Sequence, residues 1–146
     1  MIYWLTGQPG SGKTTLAKAI IKERFFRNWF HIDGDDIREL FDNKDYSKEG
    51  RMKNVLLAQQ LAQYLHSKDK DVLVSLVSPY KEQRESFKEK MGDMVKEVYI
   101  HTSEVRGREN FFVEDYEPPT ENYTDICTDN ILVDECINKL FSPSLK

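Results

Sequence analysis

The stretch Gly7-Gln8-Pro9-Gly10-Ser11-Gly12-Lys13-Thr14 constrains this chain more than any other. It satisfies G-x-x-x-x-G-K-[ST], with the apolar run Ile2 to Leu5 before it and a helical pattern opening at Thr14. Glycines let the backbone turn inward, so that successive amide N–H groups point at phosphate oxygens. The positive end of the following helix adds to the field there. Lys13 is expected to reach the β- and γ-phosphates, and the Thr14 hydroxyl to hold Mg²⁺. Gly7, Pro9, Gly10, Ser11, Gly12 and Thr15 complete the ATP-binding loop. The competing reading is a glycine-rich turn with a chance lysine, which leaves the flanking strand and helix as coincidence. The loop is expected to bind a nucleoside triphosphate.

Beyond the loop, strand and helix signals alternate, as in a parallel sheet with helices on both faces. Thr14 to Arg24 reads as a helix with Leu16, Ala17, Ile20 and Ile21 on one face. Trp29 to Asp33 reads as a strand, Asp35 to Phe41 as a short helix and Asp42 to Glu49 as a polar loop. Apolar residues from Met52 to Leu65 recur at helical spacing, giving a long helix over about Ser47 to Ser67. Val72 to Val77 is an apolar run broken only by Ser75, suited to a central parallel strand. Ser78-Pro79 then reads as an N-cap followed by proline in the first turn, with Gly92 as the stop. Val95 to His101 is a fourth strand, Thr102 to Tyr123 a long loop with a short helical start, Asp125 to Thr128 a fifth strand, and Leu132 to Phe141 a closing helix. The expected fold is a single domain over residues 1–146, a three-layer α/β/α P-loop architecture with a mainly parallel sheet of about five strands.

The 146 residues carry a formal charge of −4, and a nucleic-acid surface would need a basic stripe. Cys127 and Cys136 lack C-x-x-C spacing, so reduced thiols in a cytoplasmic protein are the simpler reading. No apolar run approaches a membrane span, and the N-terminus reads as a strand instead of a signal peptide. The sequon Asn122-Tyr123-Thr124 is taken as fortuitous.

Ligands in open α/β sheets bind at the carboxyl ends of strands, which places His31-Ile32-Asp33-Gly34-Asp35-Asp36-Ile37-Arg38 opposite the phosphate loop. One carboxylate can accept a proton from an attacking hydroxyl, and another can hold magnesium through water. Asp33 and Asp35 are the candidates, with Asp36 a solvated cap residue. Arg38 could clamp an anionic acceptor. A polar turn capped by Asp35 or Asp36 is the bland alternative. Arg51 and Asn54 share a helix face, which by spacing alone reads as a solvated turn. Ser78 is explained by capping yet ends a central strand at the ligand edge.

These residues together resemble the adenylylsulfate (APS) kinase family, P-loop enzymes that phosphorylate the 3′-hydroxyl of adenosine 5′-phosphosulfate with MgATP. The family's L-D-G-D-N-[IV]-R is similar to Ile32-Asp33-Gly34-Asp35-Asp36-Ile37-Arg38. Its G-F-S…D-R…N-I-R resembles Asp45-Tyr46-Ser47 with Arg51 and Asn54. Its S-F-I-S-P-Y-R resembles Ser75-Leu76-Val77-Ser78-Pro79-Tyr80-Lys81, and its K-N-F-T-G…Y-E-x-P resembles Glu109-Asn110-Phe111 with Tyr116-Glu117-Pro118-Pro119. The resemblance implies Asp35 near the acceptor hydroxyl and magnesium, with Arg38, Arg51 and Asn54 on the phosphosulfate. It also implies Tyr46 and Phe111 stacked about the acceptor's adenine, and Ser78 beside the acceptor. For the two rings, ordinary core or loop packing is the alternative. ATP and Mg²⁺ are the implied cofactors and a small nucleotide the implied partner, with a homodimer compatible and neither membrane nor nucleic acid expected.

Three features depart from the family pattern. Only Ser103-Glu104-Val105-Arg106-Gly107-Arg108 stands where the family has a longer lid. Phe112-Val113 replaces Thr-Gly, and Lys81 replaces an arginine, keeping charge but not a two-pronged donor. Arg106 and Arg108 either substitute for lid cations, Arg106 on ATP, or are ordinary surface arginines. Two other readings follow: a P-loop kinase for another small-molecule or polynucleotide hydroxyl, and a non-catalytic nucleotide-binding relative.

Overall fold

A computed structural model of the chain describes residues 1–23 and 28–141. Five strands form one sheet: β1 (Ile2–Thr6), β2 (Trp29–Asp33), β3 (Asp71–Ser75), β4 (Val95–His101) and β5 (Thr124–Cys127). Their order is β2-β3-β1-β4-β5 and every pairing is parallel. Helices α1 (Lys13–Glu23), α2 (Gly34–Leu40) with α3 (Lys48–Ser67), and α4 (Lys81–Met91) lie in the first three connections, a long loop leads from β4 to β5, and α5 (Val133–Phe141) follows β5. Parallel strands need such crossovers, and the helices cover both faces of the sheet. The fold is a three-layer P-loop α/β/α architecture. No helix among the described residues is long and apolar enough to cross a membrane.

Period-two alternation splits the strands between two cores. Ile2, Trp4, Val72, Val74 and Val95 pack with Val55, Ala58 and Ala62 of α3 and Phe87 of α4. On the opposite face Leu5, Leu73, Val98 and Ile100 pack with Leu16, Ala17 and Ile20 of α1 and Ile137 of α5. β1 lies at the middle of the sheet: the chain runs from it to β2 and β3 on one side, then passes to β4 and β5 on the other. A crevice opens at such a switch point, and the phosphate loop issues directly into it.

The expected strands and helices all form, with shifted ends. The end assigned at Arg24 lies outside the described residues. β3 stops at Ser75, two residues before the expected Val77. Beyond it the Val77 carbonyl is taken by the Thr6 hydroxyl at 2.6 Å and the Gly7 amide at 3.4 Å. Ser78 does not cap α4: the cap position belongs to Tyr80, so Pro79 precedes the helix instead of starting it. Glu117 explains the shift, because its carboxylate accepts from the Lys81 amide at 2.9 Å and caps the helix from a distant loop. Neither Asp35 nor Asp36 caps α2, whose cap position is Asp33, a residue whose side chain bonds elsewhere. The helical part of the 102–123 loop is a single 3₁₀ turn at Glu109–Phe111, well past its start.

Candidate active site

A cleft of about 840 Å³ runs along the carboxyl edge of the sheet. The phosphate loop forms one end, with Pro9, Gly10, Gly12, Lys13, Thr14 and Thr15 on its wall. Gly7 and Ser11 belong to the loop but not to that wall. A Cβ on Gly7 would come within 2.1 Å of the Ile100 carbonyl, so the loop crosses β4 at backbone contact. Gly10 has φ +82°, a left-handed conformation that glycine adopts without a side-chain penalty. The buried Ser11 offers its carbonyl to the Thr128 hydroxyl at 2.8 Å.

Lys13 lies buried inside the loop, donating to the carbonyls of Gly7 at 2.8 Å and Gln8 at 2.9 Å. Burial lowers its pKa to about 8 against the attraction of Asp33, with Arg108 adding to the fall and Asp35 opposing it. Thr14 donates to Asp33 Oδ1 at 3.3 Å. These hard oxygens at the loop's end suit Mg²⁺, which is usually bound through one or two protein oxygens plus phosphates and water. Among the described residues there is no cluster of three acidic, histidine or cysteine groups, so a dedicated all-protein cage is absent.

The other expected residues line the same cleft. Asp35 is exposed on the first turn of α2, and Arg38 sits one turn later. The Arg38 guanidinium lies 4.0 Å from the centroid of the exposed Tyr46 ring and also donates to the Asn43 and Asp45 carbonyls. Arg51 approaches Asp115 at 3.9 Å. Asn54 is buried, donating to the Gly34 carbonyl at 3.3 Å while its Oδ1 finds no partner. Arg51 and Asn54 therefore face the cleft and are not a solvated turn. Ser78 is buried at φ +46°, its hydroxyl accepting from the Trp4 indole at 3.1 Å. Phe111 is exposed with Arg108 5.3 Å from its ring centroid. Neither Tyr46 nor Phe111 is a core residue.

The loop after β4 closes the phosphate end despite its brevity. Arg106 donates to the Gly10 and Ser11 carbonyls at 3.3 and 3.2 Å and to that of Thr128 at 2.9 Å, so it is a clamp on the phosphate loop and not a free surface arginine. Gln8 and Val113 exchange two hydrogen bonds at 2.8 and 2.9 Å, and Tyr116 meets Thr6 at 2.9 Å. Sequence reasoning missed Gln8, and also the buried Arg84, which donates to the Ser78 carbonyl at 2.6 Å and to Glu97 at 2.7 Å. Glu97 carries no clear local signal, because its strand also holds Lys96 and His101.

The family profile for adenylylsulphate kinase matches residues 1–110. An adenylyl-sulfate kinase of Gloeothece citriformis is 31% identical over 158 aligned positions, covering 94% of this chain and 89% of that protein. A cytidine diphosphoramidate kinase of Campylobacter jejuni is 34% identical over 83 residues, 56% of this chain and 49% of that protein, so this match spans only about half its length. The Mycobacterium tuberculosis APS kinase solved with AMPPNP and APS superposes with a TM-score of 0.77 at 23% identity, covering 95% of this chain and 96% of the other.

Proposed function

The chain belongs to the adenylylsulphate kinase family, and we propose on that ground that it transfers the γ-phosphoryl group of MgATP to the 3′-hydroxyl of APS. One observation carries the reading. A single cleft holds the phosphate loop at one end and, further along, Arg38, Arg51 and Asn54 with the exposed rings of Tyr46 and Phe111. That is a triphosphate cradle joined to an anion site with flat faces for a base.

Within it, Lys13 and the loop amides would draw off charge that builds on the transferring group. Thr14, Asp33 and Asp35 would hold Mg²⁺, which would supply charge neutralisation to the phosphates. Asp35 would take the proton of the acceptor hydroxyl as its oxygen bonds to the γ-phosphorus and the bond to ADP breaks. Arg38 and Arg51 would orient the phosphosulfate.

Labelled ATP incubated with APS should give labelled 3′-phosphorylated product. Arg51→Ala should weaken APS binding roughly tenfold or more, the loss of one charge-assisted hydrogen bond of about 1.5–3 kcal/mol. Calorimetry with APS in the presence of ADP and Mg²⁺ measures this, and ATP affinity should change little. A second reading, another nucleotide as acceptor, is favoured by the match to the cytidine diphosphoramidate kinase. If APS neither binds nor reacts while a cytidine diphosphate derivative does, the acceptor is that nucleotide.

The pKa of Lys13 near 8 sets a pH signature. A triphosphate beside the ammonium raises that pKa, so the bound state holds more protons than the free protein above pH 8. ATP affinity should fall as pH rises through 8, with proton uptake on binding at pH 8.5. Below pH 7 the lysine is already charged and contributes no uptake. Calorimetry in buffers of different ionisation enthalpy should show the difference, and Lys13→Met should abolish it.

A further inference from the structure

His31, Asp33 and Ser75 meet because of strand register. Asp33 of β2 pairs directly with Ser75 of β3, and His31 lies two residues back on the same face. The buried Ser75 hydroxyl donates to Asp33 Oδ1 at 3.0 Å, and His31 Nε2 lies 2.6 Å from Ser75 Oγ. A serine hydroxyl has one proton to give. With that proton directed at Asp33, His31 Nε2 must carry its own hydrogen and donate it to Ser75. The Thr14 hydroxyl ends on the same oxygen, Asp33 Oδ1, at 3.3 Å. Among the described residues Asp33 Oδ2 accepts no hydrogen bond.

We propose that His31 and Ser75 are positioning residues, a two-step relay that fixes the rotation of the Asp33 carboxylate toward Thr14 and leaves its second oxygen for the magnesium side of the cleft. The proposal rests on the reading of Thr14 and Asp33 as the Mg²⁺ edge of a nucleotide site. His31 stands behind the cleft lining, and Ser75 lines the cleft beside Asp33. A carboxylate on a short side chain rotates freely unless hydrogen bonds hold it. Partners of this kind commonly alter metal affinity by about 10–100-fold when removed. The imidazole does this without changing its charge, because the donor nitrogen carries hydrogen in both the neutral Nε2–H tautomer and the protonated ring.

The test is binding, measured by calorimetry with ADP in Mg²⁺ and again in EDTA. His31→Leu and Ser75→Ala should each weaken the Mg²⁺-dependent affinity roughly tenfold, with the EDTA affinity unchanged, which also reports an intact fold. The double variant should be no worse than Ser75→Ala alone, because a relay broken at one link has nothing left to lose at the other. His31→Gln, whose amide can donate from a similar reach, should restore most of the effect lost in His31→Leu. Nitrogen-15 NMR should find His31 as the Nε2–H tautomer at neutral pH. Additive losses, equal losses in EDTA, an Nδ1–H tautomer, or unaffected variants beside a magnesium-responsive wild type would each overturn the relay and leave the nucleotide site standing. A wild type that binds ADP equally with and without Mg²⁺ would overturn both.

Discussion

Lys13→Ala is expected to lower kcat by about 10²–10³-fold, the scale seen when one preorganised donor to a developing anion is removed. Lys13 is the buried cation of the phosphate loop, within hydrogen-bonding reach of the Gly7 and Gln8 carbonyls. Its loss should not unfold the protein. A lysine whose folded pKa lies near 8, below its ordinary value of 10.5, is protonated at pH 7 at some cost to folding. The native state binds fewer protons than the unfolded chain between those values. That cost is therefore fully present below pH 8 and disappears as pH rises toward 10.5. Alanine relieves it, offset by the lost hydrogen bonds to the loop. Thermal denaturation at pH 7 should show a midpoint close to wild type while single-turnover transfer collapses. Near-normal turnover in this variant would remove Lys13 from the reacting phosphate.

Local rules carried the sequence a long way. The phosphate loop and the strands Trp29–Asp33 and Val95–His101 were legible because glycine spacing and the clustering of aromatic and β-branched residues are local signals. Spacing alone puts Arg51 and Asn54 on a solvated turn, and only the family resemblance marked them as acceptor residues. Only the docking of α3 beside α2 turns them into the cleft, with Asn54 bonded to Gly34 across the contact. The capping reading of Ser78 failed for a related reason, although the residue does line the cleft. Ser-Pro is a sound local cap, but the carboxylate of Glu117, 36 residues beyond the Lys81 amide that it accepts from, caps the helix instead. Ser75 was visible only as a blemish in an apolar strand. Its meaning depends on pairing with Asp33, which sequence spacing does not reveal. The 102–123 loop lacks periodicity because its order comes from side chains reaching backbone carbonyls, as Arg106 does over the phosphate loop.

The second large effect lies behind the site. Glu97→Ala should destabilise the protein by about 3–5 kcal/mol, the usual consequence of removing one partner from a buried ion pair. Glu97 is 2% exposed on β4 and accepts from Arg84 Nε at 2.7 Å and Lys88 Nζ at 2.6 Å. Arg84 is equally buried and spans two further segments, donating to the Ser78 carbonyl at 2.6 Å and to that of Glu117. Lys88 reaches the Glu121 and Asn122 carbonyls at 3.1 and 3.2 Å. Without Glu97 two cations remain buried, with only the partly buried Glu85 beside Lys88 to offset them. A native protein of this size is typically stable by about 5–15 kcal/mol, so the loss is a large share of the total. Urea denaturation should show a lower midpoint with an unchanged slope. Replacing all three charges with apolar groups of similar volume should recover much of the stability, because a buried ion pair owes its cost to desolvation. That triple variant separates stability from placement. It would lack the Arg84 contacts that hold Ser78 and Glu117 together, so acceptor binding should stay weak in a fold that is again stable. A Glu97→Ala loss below about 1 kcal/mol would put this triad on the level of an exposed ion pair. Full acceptor affinity in the apolar triple variant would show that Ser78 and Glu117 are held by the strand and helix ends alone.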